Sequence, residues 1–98
     1  MEYVEAIDQL IGFVGREVLV RVSHAEQHPG FVLLTGTLGQ GEREVFSEPD
    51  DRVSFFDVGA RGDGLYIYRE AFTRASYDAD AEKLTIWLGP VAISIEPR

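Results

Sequence analysis

Leu10-Ile11-Gly12-Phe13-Val14-Gly15-Arg16-Glu17-Val18-Leu19-Val20-Arg21-Val22 changes its apolar period part-way along. Upstream, Val4, Ile7, Leu10, Ile11 and Val14 recur at three- and four-residue spacing, which sets them on one face of a helix over residues 2–14. Glu2 and Glu5 lie where the helix dipole favours anions, Gly12 weakens the last turn, and Gly15 suits the C-terminal stop. From Arg16 the period is two: Val18, Val20 and Val22 alternate with Leu19 and Arg21, the pattern of a strand. A helix of about 13 residues is marginal alone, so its stripe must bury against the rest of the chain.

Downstream of Val22 the chain reads as strands. Ser23 to Gly30 is a polar loop, and Phe31 to Leu38 is a second strand, with Gly36 marking a bulge or bend inside it. Gly39-Gln40-Gly41 reads as a hairpin turn, with Glu42 to Phe46 continuing as a strand. After an acidic loop come Val53 to Val58, a glycine-rich turn over residues 59–64, Leu65 to Tyr68 and Ala71 to Tyr77. Asp78 to Glu82 is a turn, and Lys83 to Leu88 and Val91 to Ile95 close the chain around Gly89-Pro90. One helix followed by six or seven short strands predicts a mainly β fold in a single domain over residues 1–98. Its sheet is antiparallel, strongly bent and curled into a small barrel.

Composition narrows the function classes. The 98 residues include 17 Asp plus Glu against 9 Lys plus Arg, a net charge of −8. Hydrophobic residues make up 45% and charged residues 27%, a globular balance and not a disordered one. The basic residues are scattered with no two adjacent, so no basic stripe marks a nucleic-acid binder; only the fold could gather Arg21, Arg69 and Arg74. With no cysteine there is no disulfide, thiolate metal site or cysteine nucleophile. Met1-Glu2-Tyr3-Val4-Glu5 lacks the basic start and apolar run of a secretory signal, and no apolar stretch approaches the roughly 18 residues of a membrane span. The expectation is a soluble, cytoplasmic protein with no membrane partner.

Three stretches resemble the Sm-like family of small β-barrels. Leu10 to Val20 is similar to its helix-to-first-strand passage, Phe31-Val32-Leu33-Leu34-Thr35-Gly36-Thr37-Leu38 to its second strand, and Leu88-Gly89-Pro90-Val91-Ala92-Ile93-Ser94-Ile95 to its closing strand pair. The resemblance covers about a third of the chain and implies an Sm-like barrel with a tendency to form rings through edge strands. The family's RNA-binding Asp and Asn after the second strand are replaced by Gly39-Gln40-Gly41-Glu42-Arg43-Glu44, and its basic residue before the last glycine by Leu88. No nucleotide-binding residue carries over.

Candidate chemistry is sparse. His24 and His28 flank Ala25-Glu26-Gln27 in a loop with no third ligand, so they read as solvated histidines and no metal site is expected. Asp78, Asp80 and Glu82, like Glu48, Asp50 and Asp51, lack the flanking helices and central glycine of a calcium loop. Gly36, Gly39 and Gly41 precede strand, not a helix N-terminus, so they make no phosphate cradle. Arg61-Gly62-Asp63 suits a turn. Nothing places the serines, histidines and carboxylates together as a catalytic triad, so the balance leans against an enzyme, and no cofactor is expected.

The aromatic residues point to contact. Tyr66 and Tyr68 alternate with Leu65 and Ile67 and face either solvent or the core, while Trp87 and Phe55 are assigned to the core. Val91 to Ile95 is apolar, carries no Lys or bulge, and reads as an unprotected edge strand. The expected interface is therefore Tyr66, Tyr68, Val91, Ile93 and Ile95, with Ile93→Lys breaking an assembly but leaving a folded monomer. The expected function is a non-catalytic small β-barrel domain acting through protein–protein contact or self-assembly, as a homo-oligomer or with a protein partner. The alternatives are an RNA-binding Sm-like oligomeric ring and a small ligand-binding or hydrolytic barrel.

Overall fold

The computed structural model describes residues 1–24, 31–40, 53–59 and 63–98. Helix α1 (Tyr3–Ile11) is followed by β1 (Glu17–His24), β2 (Phe31–Gln40), β3 (Val53–Val58) and β4 (Asp63–Tyr68). A single 3-10 turn, Arg69–Ala71, leads into β5 (Phe72–Asp78), and β6 (Lys83–Leu88) and β7 (Val91–Pro97) complete the chain. The expected loop at Ser23–Gly30 and the expected strand at Glu42–Phe46 fall wholly or mostly outside the described residues.

The seven strands form one antiparallel sheet in the order β4-β3-β2-β1-β7-β6-β5. Two meanders, β1 to β4 and β5 to β7, meet where β1 pairs with β7, Val20 opposite Ile95 and Val22 opposite Ile93. Successive neighbours alternate in direction, so six steps along the sheet leave β4 and β5 pointing the same way. Parallel neighbours need a crossover of a dozen or more residues. Only the Arg69–Ala71 turn separates these two, so the chain runs on from β4 into β5 without doubling back. The sheet therefore keeps two edges and is not closed into a barrel.

Glycine bends β2. Its first part pairs with β1, Val18 opposite Gly36, and its last part pairs with β3, Leu38 opposite Val58. At Gly36 the backbone has φ 153°, and a Cβ there would lie 2.6 Å from the Gly59 Cα. The Gly59 N–H also donates to the Thr37 carbonyl at 3.0 Å, locking the end of β3 against the bend. The sequence-based expectation of a bend at Gly36 is met, but the strand runs on through Gly39 and Gln40, where a hairpin turn was expected. Gly39 lies opposite Asp57 in the ladder, so β3 captures the segment as strand.

The helix is shorter than the 2–14 expectation, and it is rotated. After Ile11 the chain tightens into i to i−3 hydrogen bonds, Phe13 N–H to Leu10 and Val14 N–H to Ile11, both 3.0 Å. The buried line is Tyr3, Ala6, Leu10 and Phe13, one position off the aliphatic stripe, while Val4, Ile11 and Val14 are exposed. The aromatic rings decide the rotation. Phe13 turns into the core, and Tyr3 reaches the gap between the sheet's edges, where the small Ala6 lets the helix sit close. The Tyr3 hydroxyl donates to the Ile67 carbonyl of β4 at 2.8 Å and lies 2.7 Å from Ser54 Oγ of β3. Its ring meets Phe72 of β5 edge-on at 5.7 Å, and the Arg69 guanidinium lies over it at 4.8 Å.

One hydrophobic cluster draws on the helix and all seven strands. Tyr3→Phe, which keeps the ring and removes the hydroxyl, should cost about 1–2 kcal/mol of stability, and Tyr3→Ala about 3–5 kcal/mol. Gly36→Ala should cost about 2–4 kcal/mol, because backbone and not a side chain stands in the way. Gly39→Ala, whose Cβ would meet only the Asp57 carboxylate at 3.4 Å, should cost much less. Urea midpoints at constant slope measure all four.

Candidate interaction surface

β3 and β4 carry the aromatic surface. Leu65 and Ile67 are buried, so strand alternation turns Tyr66 and Tyr68 outward, where they are 36% and 48% exposed. This settles the open choice between a solvent-facing and a core-facing pair. The two rings stack 6.4 Å apart at an interplanar angle of 13°. Phe55, directly opposite Tyr66 in the β3–β4 ladder, adds a third ring at 4.9 Å. Phe55 occupies the space over Gly64, where a Cβ would collide with the ring.

The core assignments of Phe55 and Trp87 are corrected. Phe56, its neighbour, is the core residue at 1% exposure, and Phe55 is a half-buried member of the outer surface. Trp87 lies half-buried on the outer face of β6, with the Arg74 guanidinium 3.9 Å from its ring centroid. In both strands the alternation is one residue out of phase with the expectation. Sequence offers two adjacent bulky residues in each, Phe55-Phe56 and Ile86-Trp87, and only the sheet's curvature chooses which one is enclosed.

β7 is not an edge. It pairs with β1 on one side and β6 on the other, so the reading of Val91 to Ile95 as a free edge is overturned. Ile93 and Ile95 are core residues, and Val91 packs against the core. The sequence missed this because pairing between the first and last strands joins residues some 70 positions apart. Among the described residues the edges are β4 and β5. They differ in protection. The β5 ladder has a register shift between Phe72 and Arg74, and the intervening Thr73 Oγ1 accepts the Gly89 N–H at 2.9 Å. α1 also packs against β5 and β6. Bulges, charges and covering helices are the usual means of blunting an edge. β4 pairs with β3 in unbroken register from Asp63 to Tyr68, and from Gly64 to Tyr68 it carries no charge and no proline.

The remaining candidates separate. The Asp78 carboxylate accepts the N–H groups of Asp80 at 3.0 Å and Ala81 at 3.3 Å, which shapes the β5–β6 turn. Glu82, with φ 50°, pairs with Arg16 at 3.1 Å across an exposed surface. His24 is half-buried at the end of β1, opposite Val91, and His28 lies outside the described residues. Gly41, Glu48, Asp50, Asp51, Arg61 and Gly62 lie outside them as well. No group of three or more potential metal ligands occurs among the described residues. Arg21 and Arg74 share the outer sheet face but sit three strands apart, about 14 Å, and Arg69 is at the β4–β5 corner. The fold does not gather these three arginines. No helix among the described residues is long and apolar enough to cross a membrane.

Compared with family models, with curated proteins and with solved structures, the chain matches none.

Burial now separates the expected interface residues by experiment. Ile93→Lys should abolish folding, because it places an unpaired ammonium in the core, a cost well above about 4 kcal/mol. Tyr68→Ser should stay within about 1 kcal/mol of the parent, as exposed substitutions do. Thermal unfolding followed by circular dichroism checks both.

Proposed function

We propose that this chain is a non-catalytic contact module that presents the Phe55–Tyr66–Tyr68 ladder and the adjoining β4 edge to another polypeptide. The observation that carries the reading is the stacked Tyr66–Tyr68 pair, 36% and 48% exposed, on an unblunted edge strand. Tyrosines suit such a role. They offer large apolar area with a polar tip, lose little conformational entropy on binding, and are enriched at contact hot spots. An exposed edge adds backbone donors and acceptors, so a partner strand gains affinity from the main chain and selectivity from the rings.

An Sm-like architecture belongs to the same proposal. The helix-first order and the bend of β2 at Gly36 support it. The sheet is not closed between β4 and β5, and in this reading the β4 edge serves assembly. The absence of cysteine suits a reducing compartment, and we place the protein in the cytoplasm.

A photo-cross-linking amino acid at position 68, compared with one at the outward-facing, exposed Ser76 of β5, tests the reading in the native host. Polypeptide adducts should form at position 68 at several times the yield at position 76. Equal yields, or no polypeptide adduct at position 68, would remove the contact-module reading.

A further inference from the structure

We infer that the occupant of the β4 edge is a second copy of this chain, paired antiparallel with β4 about a twofold axis at Tyr66. The inference rests on the contact-module reading and names its partner.

The segment Asp63-Gly64-Leu65-Tyr66-Ile67-Tyr68-Arg69 is self-complementary. Laid antiparallel on its own copy about Tyr66, it sets Asp63 opposite Arg69 at both ends, Gly64 opposite Tyr68, Leu65 opposite Ile67, and Tyr66 opposite itself. The segment is neutral in a chain of net charge −8, so this edge adds no like-charge repulsion. On the outer face, Phe55 is already opposite Tyr66 within one chain. The pairing extends that row to Phe55–Tyr66–Tyr66–Phe55, four aromatic rings across the axis. Tyr68 falls opposite Gly64, the one position of the strand without a side chain, and so meets the Phe55 ring that covers it. On the inner face, Leu65 and Ile67 continue the apolar rows of the two cores.

Three features of the fold favour this contact over the other ways copies could meet. The β5 edge is bulged at Thr73 and flanked by Arg74 and Asp78, so a head-to-tail ring joining β4 to β5 has a poor second surface. β7 has no free edge. The exposed helix residues Val4 and Ile11 are accompanied by Glu5 and Asp8, with Glu2 at the N-cap and no basic residue on the helix, so two such faces repel. An isologous contact of this kind closes on itself and stops at two subunits. One short strand pair and its rings lie at the small end of stable interfaces, so association should be weak and concentration-dependent.

The chain has no cysteine, so a single engineered one reports cleanly. Directly opposed residues in an antiparallel pair have Cα atoms roughly 4.5–5.5 Å apart, within disulfide reach. The residues at position 68 of the two copies would be about 13 Å apart along the strands, beyond it. Under mild oxidation, Tyr66→Cys should give a disulfide-linked dimer at tenfold or more the yield of Tyr68→Cys. Light scattering on the unaltered chain should show a mass rising with concentration toward twice 10.9 kDa and no further. Equal yields from the two variants, no cross-link at position 66, a mass that stays at one chain, or a ring of five or more subunits would each overturn the twofold pairing. Polypeptide adducts at position 68 that contain only other proteins would overturn self-pairing while leaving the contact module standing.

Discussion

Among the described residues, β4 and β5 flank a seam that no backbone ladder closes, and Tyr3 spans it. The seam follows from direction. Seven strands paired antiparallel in a single line leave the two outermost ones parallel, and a three-residue turn cannot bring parallel strands side by side. Something other than a ladder must hold the curl. Tyr3 does so with a hydroxyl bonded to the β4 carbonyl of Ile67 and to Ser54 of β3, and with a ring packed on Phe72 of β5. The helix rotates to deliver that ring, which is why its aliphatic flank at Val4 and Ile11 is left outside.

The same constraint sets the surface. If the sheet closed, it would have no edges, and Tyr66 and Tyr68 would be isolated rings on a barrel wall. Because it stays open, β4 combines an outward aromatic row with an edge that lacks bulge, charge or proline over Gly64–Tyr68. β5, the other edge, is bulged and lies under the helix. The molecule thus has one edge suited to pairing and one suited to solvent. The proposed closed pair draws on that asymmetry.

Several acidic and glycine residues serve structure. Asp78 folds the β5–β6 turn through two backbone N–H groups, Glu82 pairs with Arg16, and Gly36 lets β2 pass within contact of Gly59. Each resembled a ligand or phosphate motif only by composition. The Asp78 hydrogen bonds are local, which is the ordinary use of Asp in turns, while the Glu82 and Gly36 contacts join segments far apart in the chain.

Sequence alone determined the elements that depend on neighbours in the chain. The change of period at Gly15–Arg16, the strands from Val53, Leu65, Lys83 and Val91, the bend at Gly36 and the turn at Asp78–Glu82 all follow from local sterics and alternation. The outward position of Tyr66 and Tyr68 was legible as one of two choices, since alternation fixes that they oppose Leu65 and Ile67 but not which side is wet. Tertiary structure alone decided that side, the enclosure of Phe56 over Phe55, the helix rotation that buries Tyr3, and the placing of β7 between β1 and β6. Each of these depends on contacts between residues far apart in sequence. Periodicity carries no information about which distant strand completes a ladder, and so it could not tell an apolar strand inside the sheet from one at its edge.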